Sequence, residues 1–294
     1  MEIQLLGTGT PTPSLKRMSS GYLIRVGSDV ILFDFGPGTY HRLMEAGVPA
    51  TDVTHIFFSH LHYDHCLDYA RLLLSRWDQG SDQIQELRVF GPSFIERMTE
   101  ALIGEDGAFG PDLKARTELP VSQAIYQARG GTLPRKRPMP EIVPIKSGDT
   151  IEGNEWSVQV RSVPHVQPIL ECYGFRLETK AGALTYSGDS GPCKAMQLLA
   201  RDTDVLIHMC HYLSGTELSA EFAKACMGHL ELAQLGRDAR VKNLVISHVT
   251  EQMDVAGVRE RIIREMSDIY KGNLFFGEDL MTIPIDGPNP KILN

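Results

Sequence analysis

The sequence lacks the features of several protein classes. Its five cysteines are odd in number and include no pair separated by two residues, so neither a disulfide framework nor a thiolate zinc site is indicated. No apolar run approaches membrane-spanning length, and the first residues carry no basic segment ahead of an apolar one. We therefore expect neither membrane insertion nor export, and a reducing cytoplasm fits this chain best.

Positive charge is also scarce. The chain has 29 Lys and Arg against 37 Asp and Glu, a formal net charge of -8, so bulk electrostatic binding of nucleic acid is not expected. Hydrophobic residues make up 42% and charged residues 22% of the chain, as in ordinary globular proteins. The 294 residues contain no linker or low-complexity tract, and we expect a single domain over residues 1–294.

What the sequence does contain is a dense group of metal-binding side chains. His60, His62, Asp64 and His65 lie directly after the apolar run 55–58, which is predicted to be a strand. Imidazole nitrogens and carboxylate oxygens are ligands that zinc, manganese and iron accept. Four such groups within six residues at the end of a strand indicate a metal site rather than an exposed polar turn.

Other predicted strands also end on a residue that can bind metal. These strand-end residues are His165, Asp189, His208 and His248. Strand ends on one edge of a sheet converge in space, so we expect such residues to meet the first cluster. Asp34, at the end of the third predicted strand, could be a ligand by type, but we expect it to orient a ligand histidine, since metal-bound imidazoles usually donate their other N–H.

The least regular stretch is 104–144, which mixes glycines and prolines with a basic run at 129–137. Long irregular insertions tend to be lids or disordered segments, so this stretch is a candidate lid. Its basic residues are either anion-binding groups or a solvated loop.

The order of these motifs resembles that of the metallo-β-lactamase superfamily along nearly the whole chain. The resemblance rests on the His60-x-His62-x-Asp64-His65 motif, the lone His165, the Ser-Gly-Asp189-Ser motif and His248. It implies an α/β fold of the αββα type, in which two mixed β-sheets lie face to face between helices. The active site would lie at one edge, between the two sheets.

The resemblance also implies a ligand set for two divalent metal ions, with zinc expected first and manganese or iron as alternatives. His60, His62 and His165 would hold one ion, Asp64, His65 and His248 the other, and Asp189 would bridge both. In such a centre a metal-bound hydroxide attacks the substrate, and Asp64 is expected to be catalytic as well as a ligand. The family often dimerises, so a homodimer is allowed.

Within the superfamily, Gly228-His229-Leu230 resembles the ribonuclease Z branch. That likeness gives His229 a catalytic role, in stabilising the transition state or protonating the leaving group; the alternative is a core or helix-capping histidine. Two departures argue against transfer RNA as the substrate. The stretch between His165 and Asp189 is too short for the branch's RNA-binding arm, and Met209 replaces its acidic residue. His211 and Tyr212 either line the substrate pocket or simply pack.

The leading expectation is therefore a dinuclear-metal hydrolase acting on a small phosphodiester or related ester. Lactone, carboxyl-ester or aryl-sulfate hydrolysis is the alternative, because the same centre serves all of these reactions. Three further readings are less favoured: a transfer-RNA 3′-processing endonuclease, a non-catalytic binding protein, and a di-iron oxygen reductase. The reductases carry Glu where this chain has His62.

Overall fold

Two β-sheets form the centre of the computed structural model, which describes residues 1–285. The first sheet, in spatial order, contains β14 (Thr282–Ile283), β1 (Glu2–Gly7), β2 (Gly21–Val26), β3 (Asp29–Phe35), β4 (His55–Phe57), β5 (Arg88–Gly91) and β6 (Glu141–Pro144). The second contains β13 (Asn273–Phe276), β12 (Asn243–Ser247), β11 (Val205–Met209), β10 (Gly182–Tyr186), β9 (Tyr173–Thr179), β8 (Trp156–Ser162) and β7 (Thr150–Glu152). Residues 286–294 of the predicted single domain lie outside the described part.

The two sheets repeat one pattern of strand directions. In the first sheet β1, β2 and β3 pair antiparallel, and β3 to β6 pair parallel. In the second, β7 to β10 pair antiparallel and β10 to β13 pair parallel. Parallel neighbours require a crossover connection. Their carboxyl ends consequently all face one edge of each sheet, where the connections begin.

Helices make these connections and cover the outer faces of the sheets. They are α1 (Thr39–Glu45), α2 (Tyr63–Cys66), α3 (Tyr69–Gly80), α4 (Ile95–Ile103), α5 (Gly110–Glu118), α6 (Pro120–Ala128), α7 (Lys194–Leu199), α8 (Ala220–Ala225), α9 (His229–Asp238) and α10 (Val258–Ile269). Short 3₁₀ turns occupy Ala50–Asp52 and Glu251–Asp254. Within residues 1–285, no helix has the length and apolar character that crossing a membrane requires.

Successive side chains of each strand point to opposite faces of its sheet, and this divides the apolar core into three layers. On β3, Ile31 and Phe33 belong to the layer between the sheets, whereas Leu32 belongs to the layer under the first group of helices. On β12, Val245 faces the other sheet and Leu244 packs in the layer under the second group of helices. This is the period of two that an extended strand imposes on its side chains. The predicted αββα sandwich is confirmed.

The segment 104–144 is more regular than expected. It contains α5, α6 and the edge strand β6, so the prediction of an irregular stretch was wrong. The prolines that suggested irregularity lie in the first turns of α5 and α6. A helix leaves its first N–H groups unpaired, and proline is therefore tolerated at that position.

The basic run in this segment ties the segment to α3 and to the end of α4. Arg129 and Arg135 pair with the carboxylate of Asp78 at 2.7 and 3.0 Å, and Arg137 donates to the carbonyl groups of residues 103 and 104. Among the contacts described for residues 1–285, none joins these arginines to the 59–65 turn. Whether the segment acts as a lid stays a prediction.

Candidate metal centre

The predicted ligands meet in two adjacent groups at the edge between the sheets. We call His60, His62 and His165 the outer half-site, and Asp64, His65 and His248 the inner half-site. Asp189 joins the outer group. Within each group, one donor atom of every residue lies within 4.8 Å of the others. The chain thus brings together all seven side chains proposed from the sequence.

The outer half-site is formed where β4 ends and β8 turns back. Ser59 accepts a hydrogen bond from His60 Nδ1 at 3.0 Å, which leaves His60 Nε2 directed at His62 Nδ1, 2.9 Å away. His165 donates its Nδ1 proton to the carbonyl of Ala225 at 3.0 Å. Each imidazole therefore directs one nitrogen into the centre.

The inner half-site is assembled around α2, which begins directly after His62. Asp64 Oδ2 lies 3.4 Å from His65 Nε2 and 3.3 Å from His248 Nε2. Side chains of α2 and the end of β12 therefore come together across the gap between the sheets. All three ligand candidates of this half-site are buried.

Asp189 lies between the two half-sites. Its Oδ1 is 3.5 Å from His65 Nε2, and its Oδ2 is 3.3 Å from His248 Nε2 and 3.5 Å from His165 Nε2. One carboxylate thus faces histidines of both groups. This is the position that a bridging ligand requires.

Asp34 accepts a network of hydrogen bonds behind the inner half-site. Its Oδ1 accepts from the Ser59 N–H at 2.7 Å. Its Oδ2 accepts from the Ser59 hydroxyl at 2.7 Å, from His65 Nδ1 at 2.7 Å and from the Tyr186 hydroxyl at 2.6 Å. The bond from Nδ1 fixes the orientation of the His65 ring and leaves Nε2 for the centre.

Two residues of the centre adopt left-handed backbone conformations. Asp34 has a φ of 52° and His248 a φ of 51°. Such conformations cost about 1–3 kcal/mol in non-glycine residues and persist where the surroundings enforce them. Here the strain is located at the ends of β3 and β12, where side chains turn into the gap between the sheets.

The electrostatics of the centre favour bound positive charge. Burial alone would raise the pKa of Asp189, but His248 and His65 hold it well below its ordinary value. Burial likewise would lower the pKa of His65, yet Asp189 and Asp34 raise it well above its ordinary value. Burial holds the pKa of His60 well below its ordinary value, helped by the nearby His65, which keeps its ring in the neutral form that binds metal.

Three donor atoms of the centre are buried without hydrogen-bond partners, which suits the binding of divalent cations. His65 Nε2, His165 Nε2 and Asp189 Oδ1 are buried without a hydrogen-bond partner. Native structures rarely leave such groups unpaired, and an ion is one of the accepted explanations. Because all three atoms face the same space, the residues fit a pair of cations held by nitrogen and oxygen donors.

Two further histidines from the sequence predictions lie apart from these groups. His208 is fully buried and its Nδ1 donates to the carbonyl of Met209. It belongs to none of the candidate metal groups found in residues 1–285, and it lies one residue before the end of β11 instead of ending the strand as expected. His229 is also fully buried. Its Nδ1 accepts from the Ser214 N–H at 3.0 Å and its Nε2 donates to Glu265 at 2.8 Å. Both of its ring nitrogens are therefore used.

His211 and Tyr212 have different surroundings. His211 is half-buried, with its Nδ1 3.4 Å from Nδ1 of His248, so it lies at the edge of the centre. Tyr212 is buried in the core of the second sheet, with its ring centroid 5.4 Å from that of Phe222. The structure thus brings the first of this pair to the centre and packs the second.

Sequence reasoning missed Ser59 and Tyr186. Ser59 contacts both His60 and Asp34, and Tyr186 completes the set of donors to Asp34. Both residues directly adjoin recognised motifs, since one precedes His60 and the other ends the strand before Asp189. Polar groups in such positions are a usable signal for residues that support metal ligands.

Comparison with known proteins identifies the family. The model of the metallo-beta-lactamase superfamily matches residues 16–189. Ribonuclease Z of Mycobacterium sp. (strain KMS) is 29% identical over 254 residues, covering 84% of this chain and 84% of the relative. The fold is similar to that of the metallo-beta-lactamase fold protein YhfI from Bacillus subtilis, with a TM-score of 0.74, 17% identity and coverage of 96% of this chain and 98% of that one.

The fold is also similar to that of the short form of human tRNase Z, with a TM-score of 0.67, 20% identity and coverage of 97% and 99% of the two chains. The family match spans more than half of the 294 residues and ends on Asp189, so it includes six of the seven clustered side chains. The chain belongs to the metallo-β-lactamase superfamily and is a metal-dependent hydrolase.

Proposed function

We propose that the protein hydrolyses phosphodiesters with two divalent cations, zinc first among them. The observation that carries the proposal is the convergence of two three-residue half-sites on Asp189. His60, His62, His165 and Asp189 would hold one cation, and Asp64, His65, His248 and Asp189 the other. When bound, such a pair acidifies a water molecule and neutralises charge on the phosphate.

The chain's own residues would position and activate the reactants. Asp34 orients His65 through its hydrogen bond at 2.7 Å. Burial tends to raise the pKa of Asp64, but the hydrogen bond from His248 lowers it below its ordinary value. Its carboxylate is thus ionised near neutral pH and can accept a hydrogen bond from the attacking water and orient it, which is the catalytic role we assign to it.

The substrate is proposed to be small. Between His165 and Asp189 the chain forms one short loop and the hairpin of β9 and β10, which leaves no room for a protruding RNA-binding arm. The net charge of -8 also disfavours a polyanion. His211, at the edge of the centre, is the residue we place nearest to bound substrate.

A second candidate is cleavage of precursor transfer RNA, because relatives that match most of this chain are named ribonuclease Z. The two candidates separate in one assay panel. It comprises bis(p-nitrophenyl) phosphate, a cyclic nucleotide, a lactone, an aryl sulfate and precursor transfer RNA, each tested with zinc and with manganese.

We expect hydrolysis of the small phosphodiesters and none in the His62→Ala variant. If precursor transfer RNA is cleaved and no other substrate is, the proposal of a small phosphodiester substrate is wrong and the second candidate replaces it. Activity only on the lactone or the sulfate would contradict both.

A further inference from the structure

A groove of about 450 Å³ opens beside the outer half-site. Its apolar lining residues are Leu61, Pro92, Phe94, Pro168, Ile169 and Leu170. One wall is the turn after β5, and the other is the loop that follows His165. The groove therefore lies where two segments leave the carboxyl edge of the sheets.

Residues of the groove are immediate chain neighbours of residues in the proposed metal centre. Leu61 lies between His60 and His62, and contributes to the groove while its neighbours contribute to the outer half-site. The opposite wall begins three residues after His165. None of the metal-ligand candidates lines the groove itself, so a substituent of a phosphate held at the outer half-site would extend past Leu61 to reach it.

The lining is apolar and carries no positive charge. Phe94 is 54% exposed and Ile169 is 84% exposed, an unusual display of large apolar side chains beside a polar centre. Among the described residues that line the groove there is no lysine or arginine, and the one charged residue is Glu171. A second phosphate would be repelled here, whereas an uncharged ring would find apolar surface.

The two walls are tied to each other. Glu171 accepts hydrogen bonds from the Ser93 N–H at 2.7 Å and from the Ser93 hydroxyl at 2.8 Å. Gln167 folds the loop back by donating to the carbonyl of Val163 at 2.6 Å and accepting from the His165 N–H at 2.8 Å. The width of the groove is thus set before any substrate arrives.

We propose that this groove binds an aryl or alkyl arm of the substrate, so that the protein prefers phosphodiesters with an apolar substituent over those with a charged one. The inference rests on the proposed function, since it names the substrate class for the same centre. Phe94 and Ile169 are the specificity-determining residues, because they offer the most exposed apolar surface in the lining.

The test compares two ligands that differ in one arm. Calorimetry on the zinc-loaded protein would measure the dissociation constants of phenylphosphonate and methylphosphonate, which share the metal-binding group. We expect the phenyl compound to bind about tenfold more tightly, from partial burial of one ring. In the double variant Phe94→Ser/Ile169→Ser, we expect the preference to fall to about twofold.

The matched control is Ile125→Ser on α6, because Ile125 is 52% exposed, close to the value for Phe94, and does not line the groove. We expect it to keep the tenfold preference. Serine also suits position 94, which is the residue just before α4. Metal content of every variant, measured by mass spectrometry, should equal that of the wild type.

Hydrolysis of bis(p-nitrophenyl) phosphate supplies the second readout, and we expect its KM to rise about tenfold in the double variant while that of the control is unchanged. Equal binding of the two phosphonates, or a preference that the double variant retains, would overturn the groove assignment. If the phenyl preference and its loss are observed but no phosphodiester is hydrolysed, the groove assignment stands and the proposed function fails.

Discussion

The two half-sites of the centre differ in how firmly the protein holds them. In the inner half-site Asp64, His65 and His248 are at most 3% exposed, and His65 is fixed by Asp34. In the outer half-site His62 and His165 are partly exposed, and among residues 1–285 the described hydrogen-bond partner of His62 Nδ1 is the neighbouring His60 ring. The inner half-site is thus part of the core, whereas the outer one joins the fully buried His60 to two histidines at the rim.

This difference suggests that the two half-sites have different functions. A buried, hydrogen-bonded ligand set is preorganised, so we expect the inner half-site to hold its cation more tightly. The outer half-site adjoins the apolar groove and is reached from solvent, so we expect it to receive the substrate. The predictions below test this comparison, from the largest expected effect to the smallest.

Removing a ligand from the outer half-site should eliminate turnover and leave one cation in place. We expect His62→Ala to retain the inner cation and to slow phosphodiester hydrolysis by about a thousandfold or more, since losing even one electrostatic stabiliser costs about a hundred- to a thousandfold. Metal content and initial rates measure the two effects. His41→Ala, which alters an exposed histidine on α1, is the control. Loss of both cations in His62→Ala would mean that the half-sites are not independent.

Substituting His229 tests whether a buried histidine that lies apart from both half-sites takes part in catalysis. We expect His229→Ala to keep both cations and to slow hydrolysis by about a hundredfold, the usual contribution of a general acid or base. Its ring acts either as a proton donor, for which Nε2 must leave Glu265, or by holding the loop after His211 in place. Its Nδ1 accepts the N–H of Ser214, in the loop that leads away from His211. The pH dependence of kcat/KM distinguishes the two routes, because loss of a proton donor removes one limb of the profile and a shifted loop does not.

The matching control for this position is Glu265→Gln, which keeps the packing but removes the carboxylate 2.8 Å from His229 Nε2. A much smaller loss of rate is expected there. If His229→Ala lowers the melting temperature and leaves the rate unchanged, His229 is a core histidine at the start of α9 and has no catalytic role.

Local spacing and strand ends allowed the ligand groups to be predicted from the sequence. The ligands between His60 and His65 are close in the chain, so any tight turn brings them together. His165 and Asp189 are far apart in the chain, but both follow strands that end at the same edge. The sandwich could be predicted because strand periodicity and the family's motif order agree.

Prediction from spacing and strand ends fails where the structure depends on which strand residues are buried or on where a proline lies in a helix. His208 was expected to end a strand as His248 does, yet it lies inside β11, opposite Ile246 of β12, and is buried in the core. A single sequence does not show at which residue a strand ends or which face that residue presents. Pro111 and Pro120 suggested an irregular segment but start helices. Ser59 and Tyr186 were missed because their role depends on Asp34, which lies far from Tyr186 in the chain.

Removing the hydrogen-bond acceptor behind the inner half-site should mainly weaken metal binding and should affect the chemical step less. We expect Asp34→Asn to weaken binding of one cation by about 10- to 100-fold, the usual range for residues that orient metal ligands. Asparagine tolerates the left-handed conformation at this position, so the backbone should be preserved. In a calorimetric titration of the metal-free protein, the tighter of the two binding phases should move towards the weaker one. An unchanged titration would show that His65 does not need Asp34.

Ser59→Ala should have the smallest effect, because it removes one hydroxyl from the network and leaves Asp34 with its bonds from His65 and Tyr186. The hydroxyl accepts from His60 Nδ1 and donates to Asp34, but the Ser59 N–H remains to donate to Asp34 Oδ1. We expect metal affinity to fall by less than about tenfold and the free energy of unfolding by about 1–3 kcal/mol, since the buried Nδ1 loses its acceptor. The double variant with Asp34→Asn should lose less affinity than the two single losses combined, because the residues share one network. If the two losses of metal affinity simply add, Ser59 and Asp34 act independently, each on one half-site.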